Sequence, residues 1–286
     1  MSNPFSRLLP AQQALLRRLI GHNPFGRYRE FRIDLASRFL QRSVTLALVL
    51  PRKLPLGRKL PLLILNDGQE NGSVRLRENV TQLTSDGIIP DLVVCGILAG
   101  DRMQEFGISS QPDYLGRGSM AVAYRQFICQ ELVPELQRRY TILTPCAIAG
   151  YSLGGLSAFD TAWHCPTLFD KVGVFSGSFW WRMVDADSSH FDEKVHRLAH
   201  DLVRRTTKVP SVAFWLQTGT EDESQDRNGN GIIDSIDDTM DLISELKSRG
   251  YADESIRYVE VKGGKHHPGT WGQQMPNFLT WAFGTK

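Results

Sequence analysis

Long uncharged apolar runs are missing from the 286 residues, because charged or polar side chains interrupt every hydrophobic stretch before it reaches membrane-spanning length. The amino-terminal stretch from Met1 to Gly21 also lacks the apolar core of a secretory leader, since Arg7, Gln12, Gln13, Arg17 and Arg18 break it up. A cytoplasmic location with no membrane partner is therefore expected. Charge of one sign is not in excess either. The 33 Lys+Arg stand against 31 Asp+Glu for a net of +2, so no global field draws in nucleic acid or an anionic membrane, and a small or neutral partner is expected. Cysteine is scarce. Cys95, Cys129, Cys146 and Cys165 are widely spaced in mostly apolar surroundings, which argues against a dense disulfide framework or a zinc cluster and reads as buried free thiols. Internal repeats and low-complexity tracts are absent as well.

What is present is the composition of an ordinary globular protein, 41% hydrophobic and 22% charged, at a length that α/β enzymes often fold as one domain. Residues 1–40 read as a helical or extended segment packed on the body, with an amphipathic helix over 11–20 closed by Gly21. Residues 41–286 read as one catalytic domain. Within it, strand-like runs (Ser43–Leu50, Leu60–Leu65, Leu92–Leu98, Cys146–Ala149, Val172–Phe175, Val212–Leu216, Ile256–Val261) alternate with helical ones (Val122–Tyr140, Gly155–His164, Lys194–Arg205, Thr239–Arg249). Such alternation predicts a mostly parallel central sheet flanked by helices.

The segment Ala147-Ile-Ala-Gly-Tyr-Ser-Leu-Gly-Gly-Leu156 places a Gly-x-Ser-x-Gly motif between a short apolar run and a helix-compatible one. A serine on a tight strand-to-helix turn is lifted above the sheet edge, and Gly150 and Gly154 leave room for that turn, so Ser152 is the candidate nucleophile. An unassisted serine hydroxyl is a poor nucleophile. It needs a histidine to take its proton and a carboxylate to orient that histidine, in the chain order Ser, acid, His for this topology. Of seven histidines, His266 and His267 follow the strand-like Tyr258–Lys262 where such a base belongs. The strand Val212–Gln217 delivers Asp222 to the carboxyl edge of the sheet, with Glu221 and Glu223 beside it.

With these residues in place, the chain from about Pro61 onward resembles the esterase family typified by enterochelin esterase and esterase D, within the α/β-hydrolase superfamily. The likeness is carried by Leu65-Asn-Asp-Gly-Gln69, Arg102-Met-Gln-Glu105, Glu131-Leu-Val-Pro134, Gly150–Gly155, Phe169, Ser176-Gly-Ser178, Gly219–Asp222, and Gly264-Lys-His266 ahead of Trp271 and Pro276. The resemblance implies an α/β-hydrolase fold, a three-layer sandwich, and a serine esterase working through an acyl-enzyme without an organic cofactor. It favours His266 over His267, because the family's base precedes a tryptophan by the separation of His266 and Trp271. It also implies an oxyanion hole built from the backbone amides of Gln69 and Leu153, where geometry rather than side-chain identity matters. Pro268, where the family often has an aromatic residue, and the doubled His266-His267 depart from its pattern. Arg102 and Glu105 match a family pair near the site, with Arg102 a candidate for contact with substrate; a surface ion pair is the alternative. Trp180 and Trp181 could stack on an aromatic part of a small-molecule ester substrate, or pack in the core. A thioester substrate, acyl transfer to an alcohol, and a non-catalytic binding module all remain open at this level.

One long polar interruption, Glu221–Asp238, contains Asp226-Arg-Asn-Gly-Asn-Gly-Ile-Ile-Asp-Ser-Ile-Asp237, the oxygen-ligand pattern of a calcium loop with glycine at the sharp turn. Expected ligands are Asp226, Asn228, Asn230, the Ile232 carbonyl, Asp234 and Asp237, with Ile233 as an inward apolar anchor. Asp237 stands where a longer glutamate usually closes the loop, and no entering helix is evident. Calcium here is expected to be structural and to order the loop that carries Asp222.

Overall fold

The computed structural model describes residues 26–54 and 57–284. Its centre is an eight-stranded sheet in the order β1-β2-β4-β3-β5-β6-β7-β8. The strands are β1 (Tyr28–Ser37), β2 (Arg42–Pro51), β3 (Leu62–Asn66), β4 (Val93–Ile97), β5 (Cys146–Tyr151), β6 (Phe169–Phe175), β7 (Ala213–Glu221) and β8 (Ile256–Lys265). β2 runs antiparallel to both β1 and β4, and every pairing from β4 to β8 is parallel.

The inner strands are largely apolar along both faces because both faces of the sheet are covered. In β3, Leu63 and Leu65 belong to one core while Leu62 and Ile64 belong to the other, and all four are fully buried. This is the near-continuous hydrophobic run that a parallel sheet between two helical layers requires, each such side chain contributing roughly 1.5–3 kcal/mol of burial. On one face lie α1 (Leu76–Ser85) and the carboxy-terminal helix. The other face carries α3 (Ala121–Gln126) running on through a π-helical stretch (Phe127–Leu132) into α4 (Val133–Arg139), together with α5 (Leu153–His164), α7 (Leu198–Arg205) and α8 (Asp234–Ser248). Short α2 (Arg102–Glu105) and α6 (Glu193–His196) precede these layers locally, and α9 (Pro268–Phe283) is the carboxy-terminal helix. Three layers result, the α/β-hydrolase architecture expected.

Two expectations change. Tyr28–Ser37, read as part of a segment packed on the body, is an edge strand of the same sheet, paired along its whole length with β2. The amphipathic helix over 11–20 lies outside the described residues. Cys129 and Cys165, expected as free thiols, are joined in a disulfide, while Cys95 and Cys146 are free and buried as expected. Among the described residues, no helix is long and apolar enough to cross a membrane.

Candidate active site

The chain leaves β3 for β4 on one side and returns through β5 on the other, so the loops after β3 and β5 part around a crevice at the carboxyl edge of the sheet, where ligands of open α/β sheets bind. Ser152 stands there, between β5 and α5, at φ 53° and ψ −122°. Such a backbone state in a non-glycine residue costs on the order of 1–3 kcal/mol and persists only where the surroundings enforce it. Here the Ser152 amide donates to the Phe175 carbonyl at 2.8 Å, and the Ser152 carbonyl accepts from the amides of Gly155 and Leu156 at 3.0 and 3.1 Å. The flanking glycines are required by close approach: a Cβ on Gly150 would run into the Gly154 carbonyl, and one on Gly154 would run into the Asp67 carboxylate.

That second contact brings the loop after β3 against the turn. Asn66 Nδ2 donates to the Gly154 carbonyl at 2.8 Å, and Arg102 grips Asp67 with Nε and Nη2 at 2.9 and 3.0 Å while Nη2 also reaches the Tyr151 carbonyl at 3.3 Å. Bidentate guanidinium–carboxylate pairs fix orientation as well as distance. Gln69 and Leu153, the two amides of interest, therefore sit on neighbouring segments tied to each other. Neither amide donates a hydrogen bond among the described residues. Arg102, a candidate for contact with substrate, is thus paired with Asp67, and its sequence companion Glu105 is held by Arg42 at 2.6 Å, so the two do not pair with each other.

His266 follows directly on β8 and Asp222 on β7, so adjacent parallel strands deliver both to the same edge. His266 packs edge-on to Trp271, centroids 5.4 Å apart, with its other side open to solvent. Poor solvation of the packed side moves its pKa below the ordinary 6.5, opposed by the Asp222 charge and assisted by the Arg102 charge. Asp222 is buried and its pKa is raised, chiefly by desolvation, against the Gly219 amide, the Ser176 hydroxyl and the His266 charge. Its Oδ2 accepts from Gly219 N at 2.9 Å, whereas Oδ1 has no partner among the described residues. No hydrogen bond links Ser152, His266 and Asp222 to one another among those residues; Ser152 Oγ meets Ser178 Oγ at 3.3 Å. His267 is differently employed: it caps α9, its Nδ1 accepting from Gly269 N at 3.0 Å.

Trp181 is fully buried against the backbone near Gly107 and Gly118, so the core alternative holds for it and a stacking role does not. Trp180 is half-buried and lines a cavity of about 400 Å³ together with Arg182, Glu223 and Arg227. Asp226 and Asp234 of the acidic loop line it as well, and Ser152, Asp222 and His266 do not. Ser176, Ser178, Asp67 and Arg182 were not singled out as site residues in the sequence, because each matters through a partner distant along the chain.

The acidic loop folds as a tight hairpin. Asp226 accepts from the amides of Asn230 and Gly231 at 3.1 and 2.8 Å, and the loop turns at Gly231 with φ 86°. Asn228 Nδ2 and Asn230 Nδ2 both reach Asp237 Oδ2, at 2.6 and 3.0 Å. Asp234 departs from expectation. It opens α8, and its two oxygens take Arg227 N at 2.8 Å and Nη1 at 3.0 Å, because Arg227 is drawn inward by Asp238 and Glu193. Ile232, whose carbonyl was the expected backbone ligand, has its side chain exposed. Among the described residues, no three His, Cys, Asp or Glu side chains converge as a ready metal site.

Residues 37–282 match the family described as "Putative esterase". An uncharacterized protein of Bacillus subtilis, YbbA, is 24% identical over 233 residues, covering 78% of this chain and 86% of its own. Among solved structures, a ferulic acid esterase superimposes with a TM-score of 0.68 at 16% identity, over 90% of this chain and 98% of the other. The enterobactin esterase of Shigella flexneri gives 0.66 at 21% identity over 88% of this chain, which spans 58% of that longer protein. An IroE-like serine hydrolase from Shewanella oneidensis gives 0.65 at 18% identity, over 88% and 79% of the two chains.

Proposed function

The chain belongs to this esterase family of carboxylic ester hydrolases, and from that premise we propose that it cleaves its ester through a covalent acyl-enzyme on Ser152. The observation that carries the reading is the strained elbow: Ser152 at φ 53°, ahead of a helix amino-terminus and at the switch point of the sheet. Ser152 Oγ adds to the ester carbonyl while His266 accepts its proton. Asp222 orients His266 and stabilises the imidazolium that forms. The amides of Gln69 and Leu153 receive the developing oxyanion, a contribution of about 2.7–4 kcal/mol per donor. His266 then passes its proton to the departing alcohol. Water, deprotonated by His266, attacks the acyl-enzyme and releases the acid and free Ser152. The lowered pKa of His266 suits the role, because it keeps the imidazole neutral and able to accept a proton at neutral pH.

The names of the ferulic acid and enterobactin esterases support an ester with an aromatic group, with the half-buried Trp180 as the candidate ring to stack on it. A fluorophosphonate probe, compared between wild type and Ser152→Ala and run beside a panel of short-chain and aromatic chromogenic esters, tests both levels. Labelling confined to wild type with turnover supports the hydrolase. Absence of labelling in folded protein supports a binding module instead.

We also propose that the 226–237 loop binds calcium through Asp226, Asn228, Asn230, the Ile232 carbonyl and Asp237, hard oxygen donors of the kind that ion prefers, with Asp234 excluded by its pairing to Arg227. Bound there, the ion would stiffen the chain a few residues from Asp222. Expected is a rise in melting temperature on adding calcium to chelator-treated protein, lost in Asp226→Asn; an unchanged melt in wild type contradicts the site.

A further inference from the structure

A side-chain carboxamide has one end that only donates and one that only accepts, so two buried partners of opposite kind fix which way it faces. Asn66, the last residue of β3, is fully buried, and both of its ends are met. Its Nδ2 donates to the Gly154 carbonyl in the first turn of α5 at 2.8 Å, and its Oδ1 accepts from the Tyr124 hydroxyl at 2.8 Å. A backbone carbonyl cannot donate, so the amide nitrogen must face Gly154. The carboxamide oxygen cannot donate either, so Tyr124 must supply the proton of the second hydrogen bond. Tyr124 comes from α3 and is fully buried, and that burial pushes its pKa well above the ordinary tyrosine range, which keeps the donor in place.

Directly after Asn66 the chain turns at Asp67, held at φ 59° and ψ 47°, and runs through Gly68 to Gln69. A left-handed state in a non-glycine residue persists only where its surroundings enforce it. Asn66 holds this turn through Gly154, and Arg102 holds it through the Asp67 carboxylate. Tyr124 supports both: besides its bond to Asn66, its ring meets Phe106 edge-on with centroids 5.0 Å apart, and the Arg102 guanidinium lies over the Phe106 ring at 5.5 Å. Gln69 is three residues beyond Asn66, and Leu153 adjoins Gly154, so the Asn66–Gly154 hydrogen bond directly joins the two segments that carry the oxyanion amides. We infer that Asn66 and Tyr124 are positioning residues of the oxyanion hole: Tyr124 fixes the Asn66 carboxamide, and Asn66 holds the Gly154 carbonyl so that the amides of Gln69 and Leu153 converge on one oxygen. They act through those amides and touch no reacting atom.

This assignment rests on the proposed acyl-enzyme reaction on Ser152, and the experiment separates the two. Asn66→Leu removes the bridge at similar volume. Tyr124→Phe deletes a single oxygen and decides the matter where Asn66→Leu does not fold. Each variant, the double variant and Ser152→Ala are assayed on one chromogenic ester, with melting temperatures measured to confirm folding. The inhibition constant of an aryl trifluoromethyl ketone is measured beside them; Ser152 Oγ adds to its carbonyl carbon, the hydroxyl proton passes to His266, and a tetrahedral oxyanion results. Expected is a kcat about a hundredfold lower in Asn66→Leu, the scale of one displaced oxyanion donor, and about tenfold lower in Tyr124→Phe, the scale of one buried hydrogen bond. KM should be unchanged in each, and the ketone should weaken by the same factor as kcat, because both read the oxyanion. The double variant is expected to be no slower than Asn66→Leu, because Tyr124 acts through Asn66. Wild-type kcat in either folded single variant, a change confined to KM, an unweakened ketone where kcat falls, or fully additive losses in the double variant would overturn the assignment, while an inactive Ser152→Ala leaves the underlying reaction standing. Turnover by Ser152→Ala would overturn both.

Discussion

The loops that follow β5 and β7 reach the same edge of the sheet but are held in opposite ways. The turn around Ser152 is enforced at short range: glycines admit carbonyls where a Cβ would collide, backbone amides and carbonyls pin Ser152 on both sides, and Arg102 clamps Asp67 against it. The 221–238 loop has little apolar packing and is held by charge, with Arg227 shared among Glu193, Asp234 and Asp238, and with side-chain caps along its hairpin. Close packing tolerates no displacement, whereas a polar loop can shift by small amounts. Substitutions around Ser152 should therefore act almost all-or-none, and those on the acid side should be graded.

The largest effects test the proposed reacting groups. Ser152→Ala and His266→Ala are each expected to lower kcat by about 10⁶-fold, and Asp222→Asn by about 10⁴-fold, measured as initial rates on one ester. Loss of activity in His267→Ala comparable to that in His266→Ala would reassign the base. Next comes Gly154→Ala, whose methyl displaces the Asp67 carboxylate and the loop that carries Gln69. A fall in kcat of about 10²–10³, the scale of one oxyanion donor, is expected with the protein still folded; near-wild-type turnover would mean that the turn is more pliable than its packing implies.

A smaller effect sharpens the electrostatic side. Burial and the Arg102 charge both hold His266 below 6.5, so kcat/KM should remain high as pH falls to that value and decline only when His266 is protonated. Arg102→Gln removes a charge that opposes imidazolium; the folded pKa of His266 then rises, and the acid limb of the pH profile should move to higher pH. A limb that moves to lower pH would contradict this sign. Smallest of all, His267→Ala should cost about 1 kcal/mol of stability through the lost α9 cap, seen as a lower melting temperature, with kcat changed little.

The same contrast explains what was legible in the sequence. Ser152 and its glycines are local, and their spacing alone marks the turn. The inner strands are apolar on both faces and stand out; β1 carries instead the alternation of a half-exposed edge strand, Glu30, Arg32 and Asp34 between Phe31, Ile33 and Leu35, with charge that protects the edge from further pairing. Chain order singles out Asp222 and His266 as candidates, but it does not reveal the contacts around them, since Trp271, whose indole donates to Ser176, lies 95 residues from it and Arg102 lies 35 from Asp67. Asp234 fits a ligand pattern in sequence and an ion pair in the fold, because the guanidinium that claims it is itself drawn inward by Asp238. The Cys129–Cys165 pairing, 36 residues apart, carries no local signal either.

The most direct test is the mass of the protein during turnover of a slowly deacylating aromatic ester, followed by peptide mapping. Expected is one acyl group per chain on the peptide containing Ser152, accumulating in wild type and absent from Ser152→Ala. Undiminished turnover by Ser152→Ala, or an acyl group mapped to another residue, would contradict the assignment of Ser152 as nucleophile.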